Sequence, residues 1–243
     1  MKLDVLIPRC ARLGLAFAVA WLLWTPLAQA TTYNLAADWS TSSNPNGAWS
    51  YNQGAAPLPL FQNNWLATGL NAWTTAAGQP PSWSRATIAF GTAVAGDVIV
   101  HASNSSDPLA NVTWTSPAAG VIDVSGQAWD VQHATGRDDD WSLMLNATVL
   151  ASRASILNVA KDSSDADFAN NIVLGQTLNG LAVQPGDVVT FQVRRIASNF
   201  GHFTGVELNI ELVPEPSAIG LSAIGALAVL ATAIVCRRRG RCR

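Results

Sequence analysis

Val206-Glu207-Leu208-Asn209-Ile210-Glu211-Leu212 alternates strictly between apolar and polar side chains. Successive side chains of a β-strand point to opposite faces, so Val206, Leu208, Ile210 and Leu212 share one face and the polar residues the other. The same period recurs upstream. Val189, Phe191 and Val193 alternate with Thr190, Gln192 and Arg194, and Val112 and Trp114 with Asn111, Thr113 and Thr115. Ile122 and Val124 alternate with Asp123 and Ser125; Leu143 with Leu145, and Val98 to His101, mark two more strands. Turn residues separate them at 117–120, 136–140 and 185–187. Gly96-Asp97 and Gly186-Asp187 each read as a turn that opens a strand. No helical period persists between these segments. The predicted class is mainly β: an antiparallel β-sandwich or jelly-roll-like ectodomain over residues 31–212.

The leading part, 31–82, reads differently. Thr41 to Gly54 is rich in Ser, Asn, Pro and Gly, Pro57 and Pro59 punctuate Leu58 and Leu60, and Trp39, Trp49, Trp65 and Trp73 recur. This predicts an irregular, tryptophan-rich segment laid along the sandwich.

Both ends read as addresses. Lys2, Arg9 and Arg12 precede an apolar run from Leu13 to Leu23; Pro26 and then Ala28-Gln29-Ala30 follow. A basic start, a short apolar core and a small-x-small site predict a signal peptide over 1–30, too short to span a bilayer. At the other end, Ala218 to Cys236 is apolar apart from Ser222 and Thr232, and Arg237, Arg238, Arg239, Arg241 and Arg243 follow. That predicts a spanning helix whose arginines hold the C-terminus in the cytoplasm, with the residues between the two ends on the far side of the membrane. Pro214-Glu215-Pro216 stands just before the helix. Two prolines flanking one residue force an extended, exposed segment, a shape a membrane protease can grip.

The order of these three parts over 213–243 resembles the PEP-CTERM sorting signal of Gram-negative bacteria. The resemblance implies processing near Pro214, Glu215 and Pro216 by an exosortase, an integral-membrane cysteine transpeptidase. It implies an inner-membrane precursor, tethered by its C-terminal helix, that becomes a cell-surface or biofilm-matrix protein. A second resemblance rests on Trp49-Ser50-Tyr51, Trp83, Val112 to Pro117 with Gly120, Asp139 to Leu143, and Pro185 to Phe191. These are similar to the β-sandwich ectodomain common among PEP-CTERM proteins, itself similar to carbohydrate-binding jelly rolls. Its members mostly lack an assigned activity, so this resemblance implies architecture more than function.

Composition narrows the classes. Only 12% of the 243 residues are charged and 49% are hydrophobic, which excludes a coiled coil and a charge-rich disordered chain. Residues 31–213 hold six Lys and Arg against fourteen Asp and Glu, a net charge of −8. Such a surface disfavours nucleic acid as a partner and suits neutral sugars or cations. The cysteines are Cys10, Cys236 and Cys242, so the expected exported part has no disulfide, thiolate metal site or cysteine nucleophile.

Two residue groups carry candidate chemistry. Indole rings stack on pyranose faces, and Trp39, Trp49 and Trp73 have the small or polar neighbours expected of exposed rings, whereas Trp114 lies on an inward phase. Core filling is the favoured account of the tryptophans as a set. Asp138-Asp139-Asp140 is a compact oxygen-ligand cluster in a turn, a candidate site for structural calcium, with a looser group at Asp162, Asp165 and Asp167. A solvated acidic loop is the favoured account of both, so no cofactor is expected beyond this candidate calcium. His101, His133 and His202 match no zinc-hydrolase spacing. The reading is a non-enzymatic surface or matrix protein that associates with exopolysaccharide. A polysaccharide-acting hydrolase or lyase on the same scaffold, and an adhesin without sugar specificity, are the alternatives.

Overall fold

The alternation around Leu208 lies within a 12-residue strand, Phe203–Pro214, in a computed structural model of the protein. The structure describes residues 29–104, 108–132, 136–197 and 200–215, and Ala30–Val213 form one compact unit. The expected signal peptide up to residue 28, Pro216, the apolar stretch from Ala218 and the arginine tail lie outside the described residues. Among those described, no helix is long and apolar enough to cross a membrane.

Fourteen strands are described: β1 (Thr31–Asn34), β2 (Trp49–Gln53), β3 (Ala56–Pro57), β4 (Leu60–Trp65), β5 (Leu70–Thr74), β6 (Ser82–Ala86), β7 (Val98–His101), β8 (Ala110–Thr115), β9 (Gly120–Asp130), β10 (Asp139–Leu145), β11 (Thr148–Arg153), β12 (Leu181–Val183), β13 (Val188–Arg195) and β14 (Phe203–Pro214). They form two antiparallel sheets. One has the order β12-β9-β14-β7-β6-β5-β4, with β1 also on β14; the other is β11-β10-β13-β8-β2-β3. The protein is therefore mainly β with a sandwich-like fold, as the alternation predicts.

Strand β14 organises the larger sheet. Along one edge, Phe203 to Val206 pair with β7, and Asn209 to Leu212 pair with β1. Two short strands thus lie end to end on a single long one, while β9 takes its other edge. Val206, Leu208, Ile210 and Leu212 are all buried, and Glu211 between them is exposed. Aromatic rings join the sheets. Tyr51 on β2 lies 6.2 Å from Trp83 on β6, and Trp83 lies 6.4 Å from Phe191 on β13. Trp114 is fully buried, as its phase predicts.

The two Gly-Asp turns share one geometry. Gly96 and Gly186 have φ of +91° to +100°, the left-handed value a type II turn requires at its third residue. The aspartate that follows accepts a hydrogen bond from the amide three residues back: Asp97 from Val94, and Asp187 from Gln184.

Two expectations need correction. Residues 31–82 are not irregular: they hold β1 to β5 and the first residue of β6. Their alternation is hidden because polar residues are buried too. Asn52 is buried and donates to Asn111 and Thr113 on the neighbouring β8, so polarity there does not mark a solvent face. The last strand also runs two residues past the expected end at 212. Val213 and Pro214 continue β14, and proline is tolerated there because it ends the strand.

Gly205 fits against Trp129 on β9. A Cβ added at Gly205 would stand 2.1 Å from a ring carbon of that fully buried indole. We expect Gly205→Ala to destabilise the protein at or above the upper end of the roughly 1–3 kcal/mol typical of overpacking. Gly175→Ala, whose Cβ meets nothing within 4 Å, should cost only the left-handed strain of about 1 kcal/mol. Urea unfolding of both variants checks the order; equal losses would refute the contact.

Candidate functional site

The loop between β1 and β2 is built by one asparagine. The Asn34 side chain accepts from the Ala37 amide at 2.6 Å, and its carbonyl accepts from the Asp38 amide at 2.8 Å. The Asp38 carboxylate in turn accepts from the Asn34 amide at 3.0 Å. Two tryptophans then pin the loop. Trp49 Nε1 donates to Asp38 Oδ2 at 3.0 Å, and Trp73 Nε1 donates to the Ser40 carbonyl at 2.8 Å. The residue between these anchors is Trp39. It is half-buried and rests on Tyr51 with ring centroids 4.5 Å apart.

The structure therefore brings the three predicted tryptophans together but divides their roles. Trp49 and Trp73 are buried, at 1% and 6% exposure, which corrects the expectation of exposed rings. Their polar neighbours belong to the loop folded over them, not to a solvent face. Trp39 alone of the three is not buried, and because its Nε1 is buried, the side chain offers carbon.

Trp39 and Thr41 form one wall of a pocket of about 380 Å³. Asn71 on β5 and Arg85 on β6 line it from the larger sheet, and Thr87 and Gly96 close it. Asn71 and Arg85 are directly opposed across the strand pair. Arg85 lies two residues beyond Trp83, whose ring meets the other sheet, so Arg85 shares the inner face where the core runs out. Its Nε donates to the Gly96 carbonyl at 3.2 Å. Among the described residues its terminal nitrogens have no carboxylate or carbonyl partner. An indole, two hydroxyls, an amide and a guanidinium around an open pocket suit a sugar ring with hydroxyl or carboxyl substituents.

The predicted aspartate cluster does not converge. Asp138 accepts from Ser155 Oγ and from the Ile156 and Leu157 amides. Asp139 and Asp140 open β10, and adjacent strand residues face opposite ways. Asp139 is fully buried, whereas Asp140 reaches outward to Arg194. The candidate calcium site is thus corrected: these residues are three separate fixtures. Of the looser group, Asp165 turns to Arg153, while Asp162 and Asp167 line one shallow pocket with Glu207 and take Gln127 and the Ala169 amide as partners. Among the described residues, no group of three or more His, Cys, Asp or Glu is placed to hold a metal ion.

A buried polar cluster escaped the sequence reading, because its members are far apart in the chain. His202 Nε2 lies 2.7 Å from Asp130 Oδ1, and Thr204 Oγ1 donates to Asp139 Oδ2 at 3.3 Å. Asp139 Oδ1 and His202 Nδ1 lack partners among the described residues. Burial pushes the Asp139 carboxyl up to about 7, against the opposing pull of the His202 ring and amide and of the Thr204 hydroxyl. Burial also pushes His101 down to about 4, opposed by its bond to the Ala102 carbonyl and aided by Arg137 and His202. The cluster's side chains are closed to a substrate-sized ligand. No protein-family model matches the chain, and no curated protein matches it.

The Asp139 shift fixes a sign. Between about pH 4 and pH 7 the folded state holds this proton and the unfolded chain does not, so stability falls as pH rises. His101 acts oppositely from about pH 4 to 6.5, where only the unfolded chain binds its proton. We expect the stability of the wild type relative to Asp139→Asn to fall progressively from about pH 4 to about pH 7. Urea titrations at several pH values check this; a difference independent of pH would contradict the burial of an ionisable carboxyl.

Proposed function

We propose that this chain is an exported, non-enzymatic cell-surface or matrix protein that associates with exopolysaccharide through the Trp39 pocket. The observation that carries the reading is the pinned loop. Two buried indoles spend their N–H groups on either side of Trp39, and that arrangement holds its carbon surface beside Arg85 and Asn71. A fixed aromatic wall with convergent polar groups is the usual form of a small-ligand site. Carbohydrate also fits the acidic surface, which disfavours nucleic acid.

The ends supply the route. A signal peptide over 1–30 would export the chain, and the helix with Arg237, Arg238, Arg239, Arg241 and Arg243 would hold it in the inner membrane. An exosortase-type transpeptidase would then process it around Pro214, Glu215 and Pro216. Of this motif, Glu215 is exposed where β14 ends. The hydrolase or lyase alternative gains no support at the pocket, where the described lining residues include no carboxylate to act as general acid or nucleophile. An adhesin without sugar specificity is the outcome if glycan fails to bind.

Two measurements test the reading. Mass spectrometry of mature protein from its own cells should show loss of the peptide beyond Pro216; an intact arginine tail in the surface fraction would overturn the sorting route. Calorimetric titration with the host's own matrix polysaccharide should give saturable binding that Trp39→Ala weakens about tenfold, the equivalent of about 1.4 kcal/mol of stacking. Trp39→Ala must keep its cooperative unfolding for the comparison to stand, and unchanged affinity in a folded variant would remove the pocket from the proposal.

A further inference from the structure

We infer that the Trp39 pocket recognises an acidic sugar, one carrying a single carboxylate such as a uronic acid, with Arg85 as the residue that reads the charge. The inference rests on the glycan reading above and narrows it. Arg85 is one of six basic residues between 31 and 213. Several of the others are committed to carboxylates: Arg153 pairs with Asp165, Lys161 with Asp97 and Glu207, and Arg194 with Asp140. Arg85 departs from that pattern. Its Nε is fixed by the Gly96 carbonyl, while no described carboxylate or carbonyl takes its Nη1 and Nη2. The fold thus orients the guanidinium and leaves its fork to the pocket.

Asp38 and Asp97, the acids next to Trp39 and Gly96 in the chain, are not hydrogen-bonded to it. Asp38 is held by the Trp49 indole and the Asn34 amide, and Asp97 by Lys161 and the Val94 amide. A planar fork matches a carboxylate through two parallel hydrogen bonds, which a hydroxymethyl group cannot reproduce. One guanidinium balances one negative charge. A dianionic phosphate would bring a second charge into a domain of net charge −8 with no further cation among the described lining residues. The domain's own field opposes any polyanion at long range, but that field is screened beyond about 8 Å at physiological salt, whereas a direct pair inside the pocket is screened much less. The carbon surface of Trp39 then separates a uronate from a simple acidic peptide, since it offers contact to the C–H face of a ring.

The test uses the full chain in detergent micelles and isothermal titration calorimetry at 0.15 M salt. Its probes are trimers of galacturonate, guluronate and glucuronate, each beside its carboxyl-reduced neutral counterpart, with poly-glutamate as a non-sugar polyanion. At least one uronate trimer should bind about tenfold or more tighter than its reduced form, the advantage a charge-assisted pair supplies. Arg85→Gln should erase that difference by weakening the acidic form about tenfold more than the reduced form, and Trp39→Ala should weaken both forms alike. If Arg85→Gln does not fold, Arg85→Lys carries the test, because it keeps the charge, loses the fork and should give an intermediate preference. Equal binding of acidic and reduced trimers overturns the acidic-sugar inference and leaves the glycan reading standing. Binding of none of the sugars overturns both. Poly-glutamate binding as tightly as the uronates also overturns the inference, since the pocket would then read charge alone.

Discussion

The structure depends on what β14 must satisfy at once. It carries backbone donors and acceptors along two edges and an apolar row along one face. An unpaired buried amide costs as much as a lost hydrogen bond, so both edges need partners over the strand's length. The solution is uneven. β9 takes one edge, while β7 and β1 divide the other, with the Leu35 amide donating to the Leu208 carbonyl just beyond β1. This ties the first strand of the domain to its last. Such closure matters in a body whose described residues include no cysteine and whose stability rests on its core.

Close packing between β14 and β9 follows from two glycines. Gly205 accepts the Trp129 indole face, and Gly126 on β9 leaves room for the Glu207 carbonyl, which a Cβ would approach to 2.0 Å. The Lys161 ammonium sits 4.7 Å from the centroid of the same indole while pairing with Asp97 and Glu207. Glu207 therefore links the outward phase of β14 to the turn that opens β7. The inward phase ends in the polar group of His202 and Thr204 near Asp130 and Asp139. A buried carboxyl with one oxygen unpartnered among the described residues is cheapest when neutral, and this explains the direction of its shift.

Sequence period reveals a strand only where one face meets water. β13 and β14 do so, and Phe191, Val193, Leu208 and Ile210 were readable as core. In β5 and β6, Ala72, Trp73, Thr74, Ser82, Trp83 and Ser84 are all buried, so alternation is absent although the strands are regular. The aspartates failed for the opposite reason: neighbours in sequence at 138–140 were read as neighbours in space, and β10 sends two of them to opposite faces. The tryptophans were half readable. Trp39 keeps the partial exposure that its neighbours suggest, but an indole that donates to Asp38 or Ser40 has the same polar neighbours as one facing solvent. Arg85 left no signal beyond being a rare base in an acidic domain, because its freedom is defined by which carboxylates are occupied elsewhere.

The division of labour among the three indoles has an energetic consequence. A loop that must be ordered when a ligand arrives loses affinity, roughly 0.5–1.5 kcal/mol for each side chain immobilised. Here residues 38 and 40 are already tied to β2 and β5, and Arg85 is already tied to the turn at Gly96. The aromatic wall and the guanidinium are held by different elements, the loop and β6, whose spacing is fixed through the contacts of Trp39 with Tyr51 and of Tyr51 with Trp83. The same aromatic contacts that join the two sheets therefore set the width of the pocket, so packing of the core and geometry of the site are one physical problem.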